Sequence, residues 1–162
     1  WRYNIGDTIQ FTEIDPYRII VTGRIKHFIS AFGEHVIGKE VETTIKEIAL
    51  KFKLRIREFT VAPQVNPRKG LPFHEWFIEF DEINDKLDAI ETIMDNIMQR
   101  QNVYYKDLIW GKILSPLKIT KIKKGGFNDY MKSIGKLGGQ NKVPHLSNDR
   151  KIAKDLLNYI IQ

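Results

Sequence analysis

The chain has 162 residues, no cysteine, a formal net charge of +6 and a sequence pI of about 9.4. Its length suits one domain or a domain with a small appendage, and its apolar (42%) and charged (28%) fractions are ordinary for a globular protein. The absence of Cys excludes disulfides and thiol catalysis, no apolar run approaches the roughly 20 residues of a membrane span, and the first residues lack a signal peptide.

The first half of the chain predicts a hairpin, a helix and a pair of strands. Two β-rich runs, DTIQFT and YRIIVTG, flank the turn sequence EIDP. Residues 38–53 have helical spacing of apolar residues, beginning near Gly38. REFTVAPQV and FHEWFIEF then predict antiparallel strands joined by the loop 66–72. Along FHEWFIEF the apolar and acidic residues alternate, so they point to opposite faces of the strand: Trp76, Ile78 and Phe80 against Glu75 and Glu79.

The second half predicts mainly helices. Residues 84–101 form a helix with Asn84 as its N-cap, and NVYYKDLIWGKIL forms a short one ending near Gly111. SPLKITKIKK predicts a strand, which Pro116 places at an edge or fixes at its start. GGFNDYMKSIGKLGG predicts a turn and a short helix, and the last residues a final helix capped by Ser147. The order indicates an α+β fold with a small mixed, largely antiparallel sheet flanked by helices.

Common catalytic patterns find little support. The four histidines, at 27, 35, 74 and 145, have no metal-ligand spacing. GKLGGQNK departs from the P-loop pattern, and a flexible loop is its simpler interpretation. The stretch GRIKHFISAFGEHVIGKEVE threads charged residues between apolar ones, and we expect Glu34 and His35 to lie in a turn with solvent-facing side chains.

Two constellations rise above this background. Asp7 and Arg24 face each other across the predicted hairpin, where a carboxylate suits two ribose hydroxyls and a guanidinium suits hydroxyls or phosphate. A turn Asp beside an exposed Arg explains the same spacing. The second is GGQNKVP, in which a mobile Gly-Gly loop presents Lys142 just before Pro144, as a developing negative charge would require. A solvated surface lysine is the alternative.

The ordered set of motifs resembles known enzymes. YNIGDTIQF, VTGRIKHFISAFGEHVIGKEVE and a late Lys in a Gly-rich loop are similar to the C-terminal part of adenylate-forming enzymes, the superfamily of acyl-CoA synthetases and firefly luciferase. FHEWFIEF, QNVYYKDLIWGKILSPLKI and GGFNDYMKSIGKLGGQNKVPHLSNDR resemble more specifically the C-terminal domain of the auxin-responsive acyl-acid amidosynthetase family, in its bacterial branch. The likeness covers nearly the whole chain, which opens at Trp1 and which we interpret as an excised domain.

The resemblance implies an organisation and site residues. Residues 1–22 would be a hairpin leading out of a missing large domain, and 23–162 a mobile C-terminal domain with its hinge at about 24–27. Asp7 would bind the adenylate ribose, Arg24 would lie at the nucleotide edge and Lys26 would be the hinge residue. A loop that closes on the adenylate would contain Gln140, Asn141 and Lys142, with Lys142 stabilising charge at the α-phosphate and carboxylate. Asn4 and His145 depart from the family, which usually has Arg at both positions.

The implied reaction has two steps. ATP and a carboxylic acid form an acyl-adenylate and pyrophosphate, and an amine or amino acid then gives an amide and AMP. Magnesium and the acyl pocket would belong to the N-terminal domain, this chain's main partner, so the chain alone would be inactive. No nucleic acid or membrane would be involved, and the location would be cytoplasmic. Two alternatives stay open: a thioester-forming acyl-CoA ligase domain, and a basic module for nucleic acid or an acidic partner built on KLRIR (53–57) and KIKK (121–124).

Overall fold

The computed structural model describes residues 7–24, 28–82, 87–138 and 141–161. Its strands and helices follow the predicted order, with one additional short hairpin after the first. The strands are β1 (Asp7–Ile14), β2 (Tyr17–Arg24), β3 (Phe28–Ile29), β4 (Val36–Ile37), β5 (Ile56–Gln64), β6 (Phe73–Phe80) and β7 (Lys118–Ile122). The helices are α1 (Gly38–Phe52), α2 (Leu87–Gln101), α3 (Val103–Trp110), α4 (Gly126–Ser133) and α5 (Lys151–Leu156). The predicted α+β class is confirmed.

The central sheet has the order β5-β6-β7, with β6 antiparallel to β5 and parallel to β7. Every residue of β6 is buried, because helices cover both faces of the sheet. Trp76 and Ile78 belong to a core that includes residues of α1 and α2, whereas Phe77 belongs to a second core with residues of α4 and α5. Strand β7 lies at an edge of this sheet, which is one of the two positions that Pro116 predicts.

The acidic face of β6 is therefore inside the protein, and its carboxylates have partners there. Glu79 accepts hydrogen bonds from the backbone N–H groups of Gly125 (2.7 Å) and Phe127 (3.3 Å), at the start of α4. Glu75 accepts one from the Thr120 hydroxyl at 2.6 Å. Buried carboxylates are stable only when hydrogen-bonded in this way.

The helices form where apolar spacing and capping predict them. Val41, Ile45 and Ile48 recur at helical intervals and are buried, and α1 begins at Gly38 as predicted. Lys53 caps the C-terminus of helix α1 in a left-handed conformation (φ 53°). In this conformation its N–H donates to carbonyls of the last helical turn. The predicted N-cap of α2, Asn84, lies outside the described residues. Helix α3 begins after Asn102, whose side-chain oxygen accepts from the Tyr105 N–H at 2.8 Å.

The prediction that Ser147 caps the final helix is wrong. Helix α5 begins only at Lys151, because the preceding residues pair with the sheet instead of coiling. The Val61 N–H donates to the His145 carbonyl and the Ser147 N–H donates to the Val61 carbonyl, both at 3.0 Å. The first helical N–H, that of Lys151, finds its acceptor in the Asp149 carboxylate at 2.8 Å.

The expectation of a solvent-facing Glu34 is also wrong, whereas His35 is exposed. Glu34 is 0% exposed and accepts hydrogen bonds from the backbone N–H of Phe32 (2.8 Å) and Ala31 (3.3 Å) and from His74 Nε2 (2.9 Å). Asn102 also donates to the Glu34 carbonyl at 2.9 Å. Burial acts to raise the pKa of Glu34, but these hydrogen bonds and the His74 charge outweigh it and lower the pKa.

The β1–β2 hairpin carries large apolar side chains in the open. Phe11, Tyr17 and Val21 are 57%, 76% and 64% exposed, and Ile9, Ile14, Ile19 and Ile20 are exposed as well. Several exposed apolar side chains on one hairpin are typical of an interaction site. The predicted boundary at residue 22 stays a prediction, and residues 25–27 of the predicted hinge lie outside the described part of the chain.

Candidate functional site

The structure brings two of the six predicted site residues together at the open end of the hairpin. The backbones of Asp7 and Arg24 are directly opposite each other in the antiparallel register of β1 and β2. This strand pairing agrees with the predicted hairpin, whereas the roles of Asp7 and Arg24 toward a nucleotide stay predictions. Lys26 and Gln140, assigned to the hinge and the closing loop, lie outside the described residues.

Asn141 and Lys142 lie on a different element, the Lys142 loop, of which the structure describes residues 135–138 and 141–142. Gly135 and Gly138 adopt positive φ angles of 67° and 89°, which glycine reaches without strain. Asn141 and Lys142 are both exposed, and the Asn141 side-chain amide makes a long 3.5 Å hydrogen bond to the Gly138 carbonyl. Lys142 is therefore presented to solvent, next to this loop's glycines in sequence.

The residue after Lys142 returns the chain to the protein interior. Val143 is 6% exposed and packs in the second core. Residues 143–147, here called the exit segment, then follow β5: the Thr60 hydroxyl donates to the Pro144 carbonyl at 2.7 Å, and Leu146 forms a parallel bridge with Val61. The exit segment thus fixes one end of the Lys142 loop on the central sheet.

His145 adds side-chain contacts to this attachment. Its Nε2 lies 3.2 Å from Glu58 Oε1 on β5, and its Nδ1 lies 3.4 Å from Glu42 Oε1 on α1. The ring stacks on Phe59 with centroids 4.2 Å apart. The hydrogen bond with Glu58 is the largest cause of a raised pKa for His145, and the Glu58 and Glu42 charges add to it against the opposing effect of burial.

A second ion pair holds the start of α5. Arg150 Nη2 donates to Glu75 Oε2 at 2.6 Å, and Nη1 donates to the Pro63 carbonyl at 3.3 Å. Both side chains are nearly buried, at 16% and 11% exposure. Arg150 therefore connects the residues after the exit segment to the central sheet, on the face of the sheet opposite to α1.

The two basic clusters predicted from the sequence converge on one carboxylate. Asp81 forms salt bridges with Arg57, with Arg55 (3.6 Å) and with Lys124 (3.9 Å). These three cations form what is here called the basic patch, and the Asp81 carboxylate at its centre reduces the local positive charge. Over the described residues, no group of three or more His, Asp or Glu side chains could hold a metal, and no helix has both the length and the apolarity to cross a bilayer.

Sequence reasoning did not find the contacts of His145 or the buried Glu34–His74 pair. Glu42 and Glu58 precede His145 by 103 and 87 positions (145 − 42 and 145 − 58), and no local periodicity reports a contact at that separation. The one sign in the sequence was the His that follows Val-Pro. It departs from the family pattern at that position, but it does not indicate what the residue contacts.

Comparisons with known proteins agree with the fold. The model of the GH3 family C-terminal domain matches residues 39–151, more than half of the chain. The structure is similar to that of a GH3.15 acyl acid amido synthetase, with a TM-score of 0.74 and 18% identity over 98% of this chain and 31% of that one. It is also similar to an AtGH3.15 acyl acid amido synthetase in complex with 2,4-DB, with a TM-score of 0.72 and 18% identity over 98% of this chain and 30% of that one. This chain thus spans about a third of their length, and no curated protein sequence matches it.

Proposed function

The chain belongs to the GH3 family, because the model of that family's C-terminal domain matches it, and we therefore propose that it is the mobile domain of an ATP-dependent acyl-acid amidosynthetase. The observation that carries the proposal is the placement of Lys142: exposed at the end of a glycine-containing loop and followed directly by a buried anchor, Val143. That arrangement lets a cation reach a substrate held by another domain while its attachment point stays fixed.

The proposed reaction uses Lys142 as a preorganised cation. A carboxylate oxygen of the acyl acid attacks the α-phosphorus of ATP, and pyrophosphate leaves. The Lys142 ammonium offsets the negative charge that develops between carboxylate and phosphate, with Gln140 and Asn141 beside it on the loop. An amine or amino acid then attacks the acyl carbon, loses a proton, and displaces AMP to give the amide.

Asp7 and Arg24 have proposed roles toward the nucleotide. A carboxylate at position 7 accepts hydrogen bonds from two ribose hydroxyls, and the Arg24 guanidinium binds hydroxyl or phosphate oxygens. Their pairing at the end of the hairpin supports a shared position, and Lys26 would be the hinge residue about which the domain rotates between the two steps. Magnesium would be held by the larger domain together with the triphosphate.

The larger domain itself is part of the proposal. The exposed apolar side chains of the β1–β2 hairpin would pack against it, and the relatives of known structure are about three times as long as this chain. We place the enzyme in the bacterial branch of the family and in the cytoplasm, where ATP is available and a cysteine-free chain is at no disadvantage.

The test is the Lys142→Ala variant of the full-length protein in carboxylate-dependent ATP–pyrophosphate exchange. Loss of a contact made in the transition state costs about 2–4 kcal/mol, so we expect exchange to fall by roughly 30- to 1,000-fold. Lys154→Ala, which removes an exposed cation from α5, is the matched control and should exchange normally.

Unchanged exchange in the Lys142→Ala variant would remove the proposed role. Product analysis separates the amidosynthetase from the thioester-forming alternative. With an amino acid as acceptor we expect an amide and AMP; a thioester formed only with coenzyme A would instead indicate an acyl-CoA ligase.

A further inference from the structure

His145 has a carboxylate at each ring nitrogen, and this geometry depends on its protonation. Nδ1 faces Glu42 at 3.4 Å and Nε2 faces Glu58 at 3.2 Å. A neutral imidazole has one N–H, so it can donate to only one of these carboxylates, whereas the imidazolium donates to both. The complete set of contacts therefore exists only in the protonated form.

These contacts join three elements at the exit from the Lys142 loop. Glu42 lies on α1, Glu58 lies on β5, and His145 is three residues after Lys142. Among the described residues, these two carboxylates are the charged groups in contact with the imidazole, and the Phe59 ring packs on its face at 4.2 Å. The backbone carbonyl of His145 also accepts a hydrogen bond from the Val61 N–H. The side chain and the main chain of His145 therefore attach the exit segment at the same place.

We propose that His145 is a positioning residue for Lys142: its imidazolium fixes the exit segment to α1 and β5, and the loop loses part of this attachment when His145 is deprotonated. The proposal rests on the proposed function of Lys142. The raised pKa of His145 agrees with it, because the two carboxylates stabilise the charged form. Since the folded pKa is raised, the stabilisation is complete below the ordinary histidine pKa of about 6.5 and is lost as pH rises through the folded pKa.

The attachment can be measured without catalysis. Two amides report opening of the exit segment, Ser147, which donates to Val61, and Val61, which donates to His145. Their hydrogen-exchange protection, corrected for the intrinsic pH dependence, should fall about two- to fivefold from acid to alkaline pH, the size expected for one partly exposed ion pair. The Lys123 amide, which donates to Tyr159 at 2.8 Å elsewhere in the fold, is the internal reference.

Three variants distinguish the effect of a charge at position 145 from the effect of having any polar side chain there. His145→Arg is always charged and should retain high protection at every pH. His145→Gln does not titrate and should show low protection at every pH. His35→Gln, which removes another exposed imidazole, should behave like the wild type. Protection at Ser147 that follows Lys123 at all pH values, or is the same in His145→Gln and the wild type, overturns the proposal.

The same variants in the full-length protein connect the attachment to the reaction. In ATP–pyrophosphate exchange, the wild-type kcat should fall on the alkaline side, and His145→Arg should lack that fall. His145→Gln should lower kcat at every pH with little change in the KM for ATP. Lys142→Ala is measured in parallel. If Lys142→Ala has no effect, the proposed function fails, and this inference fails with it. If Lys142→Ala abolishes exchange but both His145 variants keep the wild-type pH profile, only the positioning role is overturned.

Discussion

Removing the Glu34 carboxylate tests whether the buried pair with His74 holds the β3–β4 hairpin on the sheet. The Glu34→Ala variant deletes the acceptor for His74 Nε2 and for the Phe32 and Ala31 N–H groups. His74 is 1% exposed, so water cannot replace the lost partner. The β3–β4 hairpin follows the predicted hinge in sequence, so the pair would fix the chain close to that hinge.

The expected cost follows from these contacts. Breaking a buried, hydrogen-bonded pair by removing one partner costs about 3–5 kcal/mol of the free energy of unfolding, because the remaining polar group is left buried and unpaired. Glu34→Gln should cost less, about 1–2 kcal/mol. Its amide nitrogen can donate to a neutral His74, and its oxygen can still accept from Phe32.

Guanidinium chloride unfolding at neutral pH, analysed by linear extrapolation, measures both variants. The double variant Glu34→Ala/His74→Leu supplies the matched control, since it removes both polar partners. It should be more stable than the sum of its two single changes predicts, by about 1–3 kcal/mol. Because the folded pKa of Glu34 is lowered, wild-type stability should also fall as pH drops below about 4.3 and through that lowered pKa. Glu34→Gln should lack this component.

Two results would refute the reasoning. A Glu34→Ala variant destabilised by less than about 1 kcal/mol, with an unchanged denaturant slope, would mean that the buried pair adds little. Strict additivity in the double variant would mean that Glu34 and His74 do not depend on each other.

Two further predictions concern the packing of α4 and the basic patch. A methyl group at Gly126 would lie 2.5 Å from Ile122 Cγ2, so Gly126→Ala should lower the free energy of unfolding by about 1–3 kcal/mol in the same assay. The control is Gly38→Ala, whose methyl group would lie in open space at the start of α1 and which should be neutral or stabilising. If both changes have the same effect, the close approach at Gly126 is not significant. Because Asp81 offsets the surrounding cations, the chain should bind generic RNA weakly at physiological salt; tight binding with a steep salt dependence that Arg55→Ala weakens would instead favour the nucleic-acid alternative.

Elements defined by local sequence were predictable. Helix α1 was expected over 38–53 and is observed over Gly38–Phe52, because Val41, Ile45 and Ile48 recur at helical spacing. The β1–β2 hairpin and β7 were predicted from turn residues and β-branched runs in the same way.

Contacts between distant segments were not predictable. Glu34 looked like a turn residue, yet His74, 40 positions later, makes its burial possible. Ser147 had the side chain of a helix cap, but pairing of its backbone with Val61 decided its conformation. For Lys142, the spacing alone allows both a catalytic cation and a solvated lysine. Only the family resemblance favours the catalytic cation, and that role stays a prediction.

The pairing of the exit segment also bears on solubility. An open sheet edge is a template for intermolecular strand pairing, and the three-stranded sheet would have two such edges. The C-terminal part of the chain pairs with a part of each edge, since Leu146 bridges to Val61 on β5 and Ile160 bridges to Ile122 on β7. A chain truncated after residue 142 would thus expose both edges, and we expect it to aggregate. We therefore expect the residues that follow Lys142 to protect the sheet from self-association as well as to anchor the loop.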